Sequence, residues 1–165
     1  MRNKAAFIQR AQRLEKGQSL VEMAVGFVIL VIILGGLLDL GRVYFIYLAL
    51  EDGAGEGAIY LAINPSCRTA ADGAAFTPNP CANPNNAEYR ALNSGGDMVE
   101  WSSADVTVKR TYNCDLPEPA TYGVGEKVCV RLSYQFPLLT PIIPPIAGVN
   151  PLTLTVTATQ TIIAE

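Results

Sequence analysis

Residues able to do chemistry concentrate in the stretch Lys16-Gly17-Gln18-Ser19-Leu20-Val21-Glu22. Glu22 is the one charged residue between Leu20 and Leu38. A carboxylate inside an apolar segment is costly and normally has a partner. The basic residues before Gly17 would hold this segment at the inner membrane face. Where the apolar run ends, Asp39 and Arg42 stand three residues apart on one helix face and can pair. Cys67, Cys81, Cys114 and Cys129 all follow the run, none in a C-x-x-C pair, and the chain has no histidine. Zinc and haem sites therefore have little support, and no catalytic, metal or cofactor residue is assigned. With no metal-ligand cluster and no nucleophile elbow, an enzyme is not expected. An even cysteine count in a small exported domain reads as two disulfides.

The elements that must position these residues begin with the apolar run itself. Leu20–Leu38 is 19 residues, and at ~1.5 Å each it matches the ~30 Å hydrocarbon core of a bilayer. Residues 1–17 hold five of the twelve basic residues and one of the fifteen acidic ones. The remainder carries seven basic and fourteen acidic residues, a net of −7. The basic end should stay inside and the acidic part should cross. An acidic exterior also argues against nucleic acid as a partner. Beyond Asp39 charged residues interrupt Val43, Ile46, Tyr47, Leu50, Ala54, Ala58, Leu61 and Ala62, a spacing of three and four that predicts an amphipathic helix. One helix over 18–63 is predicted, spanning the membrane at about 20–38. Tyr44 and Tyr47 fall just past the exit, where aromatic rings favour the interface. Gly53, Gly55 and Gly57 lack the Lys-Ser/Thr of a phosphate loop and read as a thin helix face against another backbone, or as a weak spot.

Asn64-Pro65 ends the helix. Residues 64–103 are rich in Pro, Asn and Gly, with a short helix at Ala87–Asn93, and 104–165 form an antiparallel β region. Three runs alternate with period two: Val106, Val108 and Tyr112; Val128, Val130, Leu132, Tyr134 and Phe136; and Leu152, Leu154, Val156 and Ala158. Their common apolar face needs cover, and the outer half of the helix is nearest. Pro137, Pro141, Pro144 and Pro145 make the connection before the third strand stiff and apolar. The fold class is thus α+β, one long helix on about three antiparallel strands. Closeness in sequence favours Cys67–Cys81 and Cys114–Cys129, with two other connectivities open. Cys129 has the polar phase of its strand, so a Cys114–Cys129 bridge needs a bulge or a turn.

The Lys16–Glu22 segment resembles the class III leader junction of type IV pilins and pseudopilins. Gly17-Gln18-Ser19-Leu20-Val21-Glu22-Met23-Ala24, with Asp39-Leu40-Gly41-Arg42 and Glu56-Gly57-Ala58 beyond, is similar to the TadE family of small pseudopilins or minor pilins of tight-adherence pili. Tyr134-Gln135-Phe136-Pro137-Leu138-Leu139-Thr140-Pro141 resembles their strand-to-loop corner. The resemblance implies a pilin-like fold and a prepilin peptidase as partner, cutting between Gly17 and Gln18 so that residues 1–17 are a leader, and methylating the new end. It implies Glu22 as the docking residue for the terminal ammonium of a neighbouring pilin subunit, another protein or a copy of itself. It also implies a structural subunit held in membrane lipid, its outer domain outside the cytoplasm and on the pilus or cell surface after assembly. Such main filament pilins are usually much shorter, which favours a minor role. The alternative is an anchored surface protein that binds a partner and never polymerises. Many members carry a proline where this chain reads Phe27-Val28-Ile29, so a straighter helix is expected.

Overall fold

The computed structural model describes residues 2–96, 99–139, Gly148 and 151–164, with side chains from Gly17 onward. Pro141, Pro144 and Pro145 lie outside the described residues. Helix α1 runs Arg2–Ile63 without a break. It reaches back through Gly17 beyond the start expected at Gln18, because nothing in 2–17 breaks a helix more than a single exposed glycine does. Helix α2 is Ala87–Asn93, and a 3₁₀ turn covers Trp101–Ser103. The strands are β1 (Asp105–Lys109), β2 (Lys127–Phe136) and β3 (Leu152–Thr161), an antiparallel meander in the order β1-β2-β3.

The sheet register aligns the period-two pattern across all three strands. Val106, Leu132 and Val156 form one row and Val108, Val130 and Ala158 the next, all facing the helix. The row between them, Thr107, Arg131 and Thr157, and the row before the first, Asp105, Ser133 and Thr155, are on the outer face. There Ser133 and Thr155 hydroxyls lie 3.1 Å apart and Arg131 holds the Asp115 carboxylate. The helix contributes Ile46, Ala49, Leu50, Ala54, Ala58, Leu61 and Ala62, each buried. Burial of Leu50, Leu61, Leu132 or Phe136 stabilises by about 1.5–3 kcal/mol each. Tyr47, expected on this face, is instead exposed, since the buried stripe passes through Ile46 and Leu50.

Ten strand residues at ~3.3 Å and the 24 residues beyond Asp39 at ~1.5 Å span about 33 and 36 Å, so sheet and outer helix match in length. Their ends coincide. Ile163 N–H donates to Ala62 O at 3.0 Å at one end, and the Arg42 guanidinium lies 4.9 Å from the Phe136 ring centroid at the other.

Helix α2 lies across the glycines of α1. A Cβ on Gly53 would stand 2.5 Å from Ala91 O and 3.1 Å from Leu132 Cδ1. One on Gly57 would stand 2.8 Å from Ala91 Cβ and 3.0 Å from Ala87 O, whereas Gly55 has nothing within 4 Å. The thin face is therefore built by Gly53 and Gly57, and the helix is continuous through it. Gly55→Ala should raise stability by up to about 1 kcal/mol, the ordinary helix gain. Gly53→Ala and Gly57→Ala should reverse that sign and lose about 1–3 kcal/mol through overpacking. Urea titrations of the three variants in one detergent would show the reversal, and a gain at Gly53 would contradict the packing described.

Asn86 caps α2 by accepting from Tyr89 N–H at 2.8 Å, while its own amide donates to Cys81 O and Asn83 Oδ1. Cys67 pairs with Cys81 and Cys114 with Cys129, each closing a loop that stabilises by about 3 kcal/mol. The phase conflict at Cys129 is resolved by a turn. Strand β1 stops at Lys109, Arg110 N–H donates to Glu118 Oε1 instead of to β2, and residues 110–126 fold over the outer face. Cys129 is thereby buried from outside, and Tyr112, expected in the first strand, lies beyond it and is exposed.

Arg68 joins the two disulfide-tied loops. It pairs with Asp72 at 2.6 Å and with Glu118, which also holds Arg110. Burial, the largest influence on Asp72, would raise its carboxyl pKa. The Arg68 side chain and the backbone N–H groups of Thr69 and Arg68 overcome it and hold the group below its ordinary value. A depressed folded pKa gives stability that is complete above the unfolded value near ~4 and is lost as pH falls through the folded one. Melting temperatures of the parent should therefore fall more steeply below about pH 4 than those of Asp72→Asn, and equal slopes would remove Asp72 from the acid transition.

Candidate functional site

The candidate residues Gly17, Gln18, Glu22, Asp39 and Arg42 are strung along α1. An 18-residue window of the helix between Gly17 and Ile63 reaches a mean hydropathy of 2.6 with none of it buried against the rest of the chain. This is one helix long and apolar enough to cross a membrane. Leu20, Met23, Phe27, Ile33, Leu37 and Leu38 are all more than three-fifths exposed. The sequence cannot spread so much apolar surface in water without a large hydrophobic cost, so the segment suggests membrane anchoring.

At the start of that surface Gln18 and Glu22 are one turn apart. Gln18 Nε2 donates to Glu22 Oε1 at 3.2 Å, and both residues are exposed. Gly17 is exposed with no neighbour within 4 Å of a would-be Cβ. In this geometry the carboxylate has a neutral partner within its own chain and an open side toward a second molecule.

At the other end Asp39 is 3 % exposed, although it follows Leu38 at 71 %. Its Oδ1 lies 3.5 Å from Arg42 Nη1 and accepts from the backbone N–H of Leu139 at 3.3 Å. Arg42 in turn covers the Phe136 ring. The pair expected from the i, i+3 spacing is thus formed, and it also clasps the end of β2. Leu139 was not among the residues singled out from sequence. Its sole signal was its place in the uncharged corner after Phe136, and no local pattern shows that this corner returns to Asp39.

Among the described residues no group of three or more His, Cys, Asp or Glu side chains is placed to hold a metal. A cleft of about 760 Å³ is lined in part by Arg110, Tyr112, Leu116, Glu118 and Lys127, and its Glu118 already serves Arg68 and Arg110.

No curated protein and no solved structure matches the chain significantly. Residues 17–58, from the glycine before Gln18 to the Glu56-Gly57-Ala58 unit, match the pilus-associated family described as TadE-like protein, so the similarity to that family lies along helix α1.

Proposed function

We propose that the chain is a pilin-like structural subunit, a pseudopilin or minor pilin, of a tight-adherence or type IV-like pilus system. The observation that carries this reading is the exposed apolar run Leu20–Leu38 with Glu22 as its one charge, in the segment that matches the TadE-like family. A prepilin peptidase cuts after Gly17 on the cytoplasmic side, where residues 1–17 with their five basic side chains remain. The new α-ammonium of Gln18 then replaces the neutral amide as a partner for a carboxylate in apolar surroundings. In the membrane that partner belongs to the same or a neighbouring subunit, and in the assembled pilus to a neighbour. The outer domain, braced by two disulfides, stays outside the cytoplasm, where such bridges persist.

Processing is tested by the intact mass of protein extracted from membranes of strains with and without the peptidase. The expected result is a mass matching residues 18–165, with or without a methyl group, in the first strain only. The mass of residues 1–165 in both strains would remove the leader from the account. The alternative, an anchored surface protein that never polymerises, shares the helix but gives Glu22 no task.

A further inference from the structure

We propose that the open edge of β3 takes an extended strand of another protein as the fourth strand of the sheet, a segment with apolar side chains at every second position and a basic one among them. The inference uses the membrane anchor only to exclude a second copy of this chain, and it is independent of cleavage and assembly.

The sheet register fixes which groups this edge offers. Ile162 N–H donates to Glu126 O at 2.7 Å, and Ile162 O accepts from Gly125 N–H at 2.9 Å, so Ile162 directs both groups toward β2. Antiparallel pairing repeats that direction at every second residue, through Gln160, Ala158, Val156 and Leu154. Thr153, Thr155, Thr157, Thr159 and Thr161 therefore direct theirs the other way, as Ile163 does when it donates to Ala62 O. Among the described residues the backbone groups of these threonines have no partner, and each threonine is exposed. The strand is ten residues long in unbroken register, with no charge, proline or glycine inside it. Edges that stay single are blunted by charge, proline, a bulge or shortness, and β3 has none of these. The other edge, β1, is five residues long and ends where Arg110 N–H turns to Glu118.

The surroundings set the chemistry of the partner. The face of α1 below Ala62 continues through Ile59, Gly55, Glu51, Leu48 and Tyr44. Of these Ile59, Leu48 and Tyr44 are 48, 38 and 59 % exposed. A strand added beside β3 lays its inner side chains on that face, so they are apolar. A lysine or arginine among them meets Glu51, which is exposed and in no ion pair among the described residues. Its outer side chains extend the threonine row, where hydroxyls pair across strands. A second copy does not fit. β3 starts opposite Phe136, under Arg42 at the membrane exit, and ends at Ala62, so in copies anchored in one membrane every β3 runs outward. In a parallel ladder each residue that bonds lies beside one that does not, whereas a two-fold axis between two β3 strands sets N–H against N–H. The β1 edge of a copy offers only the groups of Val106 and Val108, which leaves most of β3 open.

Residue-resolved amide hydrogen exchange of the full chain in detergent micelles tests this. The probe is an acetylated and amidated peptide that alternates valine with threonine and carries lysine in place of its central valine. In the chain alone the Thr155, Thr157 and Thr159 amides should exchange almost as fast as in an unfolded chain, while those of Leu154, Val156 and Ala158 stay protected. The peptide should slow the three threonine amides by about tenfold or more, and glutamate in place of its lysine should weaken it. Two analogues carry N-methyl groups, one on the valines and the other on the threonines. One should bind like the parent peptide and the other should give no protection, since a strand turns only alternate N–H groups to each edge. Equal binding or equal failure of the two analogues, or no protection by the parent peptide at millimolar concentration, would overturn the strand. Threonine amides already protected in the chain alone would show an edge that is covered, and protection that grows with protein concentration would assign it to a second copy; either result overturns the proposal.

Discussion

Glu22→Ala is expected to insert into the membrane as well as the parent and to fail in assembly. Insertion does not suffer because a charge is being removed from an apolar segment; an ionised side chain at the centre of a span costs about 2.5–3.5 kcal/mol, and one near its start costs less. On the proposed reading, assembly suffers because the Gln18 ammonium that cleavage would create on one subunit is left in apolar surroundings without its carboxylate. Breaking a buried ion pair by removing one partner costs about 3–5 kcal/mol, which is roughly two to four powers of ten in an association equilibrium. Glu22→Gln sharpens the result. It retains an oxygen able to accept from Gln18 Nε2, as Glu22 does at 3.2 Å, but not the charge, and it should fail like the alanine variant. The measurement is the amount of protein in sheared filaments relative to that in the membrane fraction. Undiminished filaments from Glu22→Ala would leave the helix as an anchor only.

How far the sequence could be read depended on whether a pattern was local. The three strands were visible because Val106, Val128 and Leu152 each open an alternating run, and the register observed lines those runs up. The short helix was visible because an asparagine precedes Ala87 and two glycines follow Ser94. The thin face of α1 was visible in the spacing of its glycines. What covers what was not. Cys129 is buried although its phase is polar, because the loop carrying Cys114, fifteen residues earlier, is bonded to it. Tyr112 keeps the phase of β1 but leaves the strand when Glu118 takes the Arg110 N–H. In the sequence Asp39 marks only the end of the apolar run, yet its carboxylate is buried and accepts a hydrogen bond from a residue 100 positions later. At the candidate site the same division holds. Asp39 and Arg42 were legible from their spacing and Gly17, Gln18 and Glu22 from the resemblance to a leader junction, all within one helix, whereas Leu139 and Phe136 meet Asp39 and Arg42 only through the fold.

Phe136→Ala should produce the largest loss of stability of any single substitution in the outer domain, about 3–5 kcal/mol, a large share of the ~5–15 kcal/mol that holds a domain folded. Three contributions meet in this side chain. It is fully buried, so its removal costs both transfer and cavity energy. Its ring faces the Arg42 guanidinium at 4.9 Å, an attraction of about 0.5–1 kcal/mol at a partly exposed site. Arg42 Nη1 has no hydrogen-bond acceptor among the described residues, so the ring and Asp39 are what hold it there. Phe136→Leu separates these effects. It keeps most of the apolar volume and should cost less than about 1.5 kcal/mol for packing, with the cation attraction lost on top. Denaturant unfolding followed by Tyr and Trp101 fluorescence gives both values. If the alanine and leucine variants were equally unstable, the ring's contact with Arg42 would outweigh its burial. If both were as stable as the parent, the sheet would not be clasped to the helix at the membrane exit, and the coupling between anchor and outer domain would have to run through the far end, where Ile163 meets Ala62.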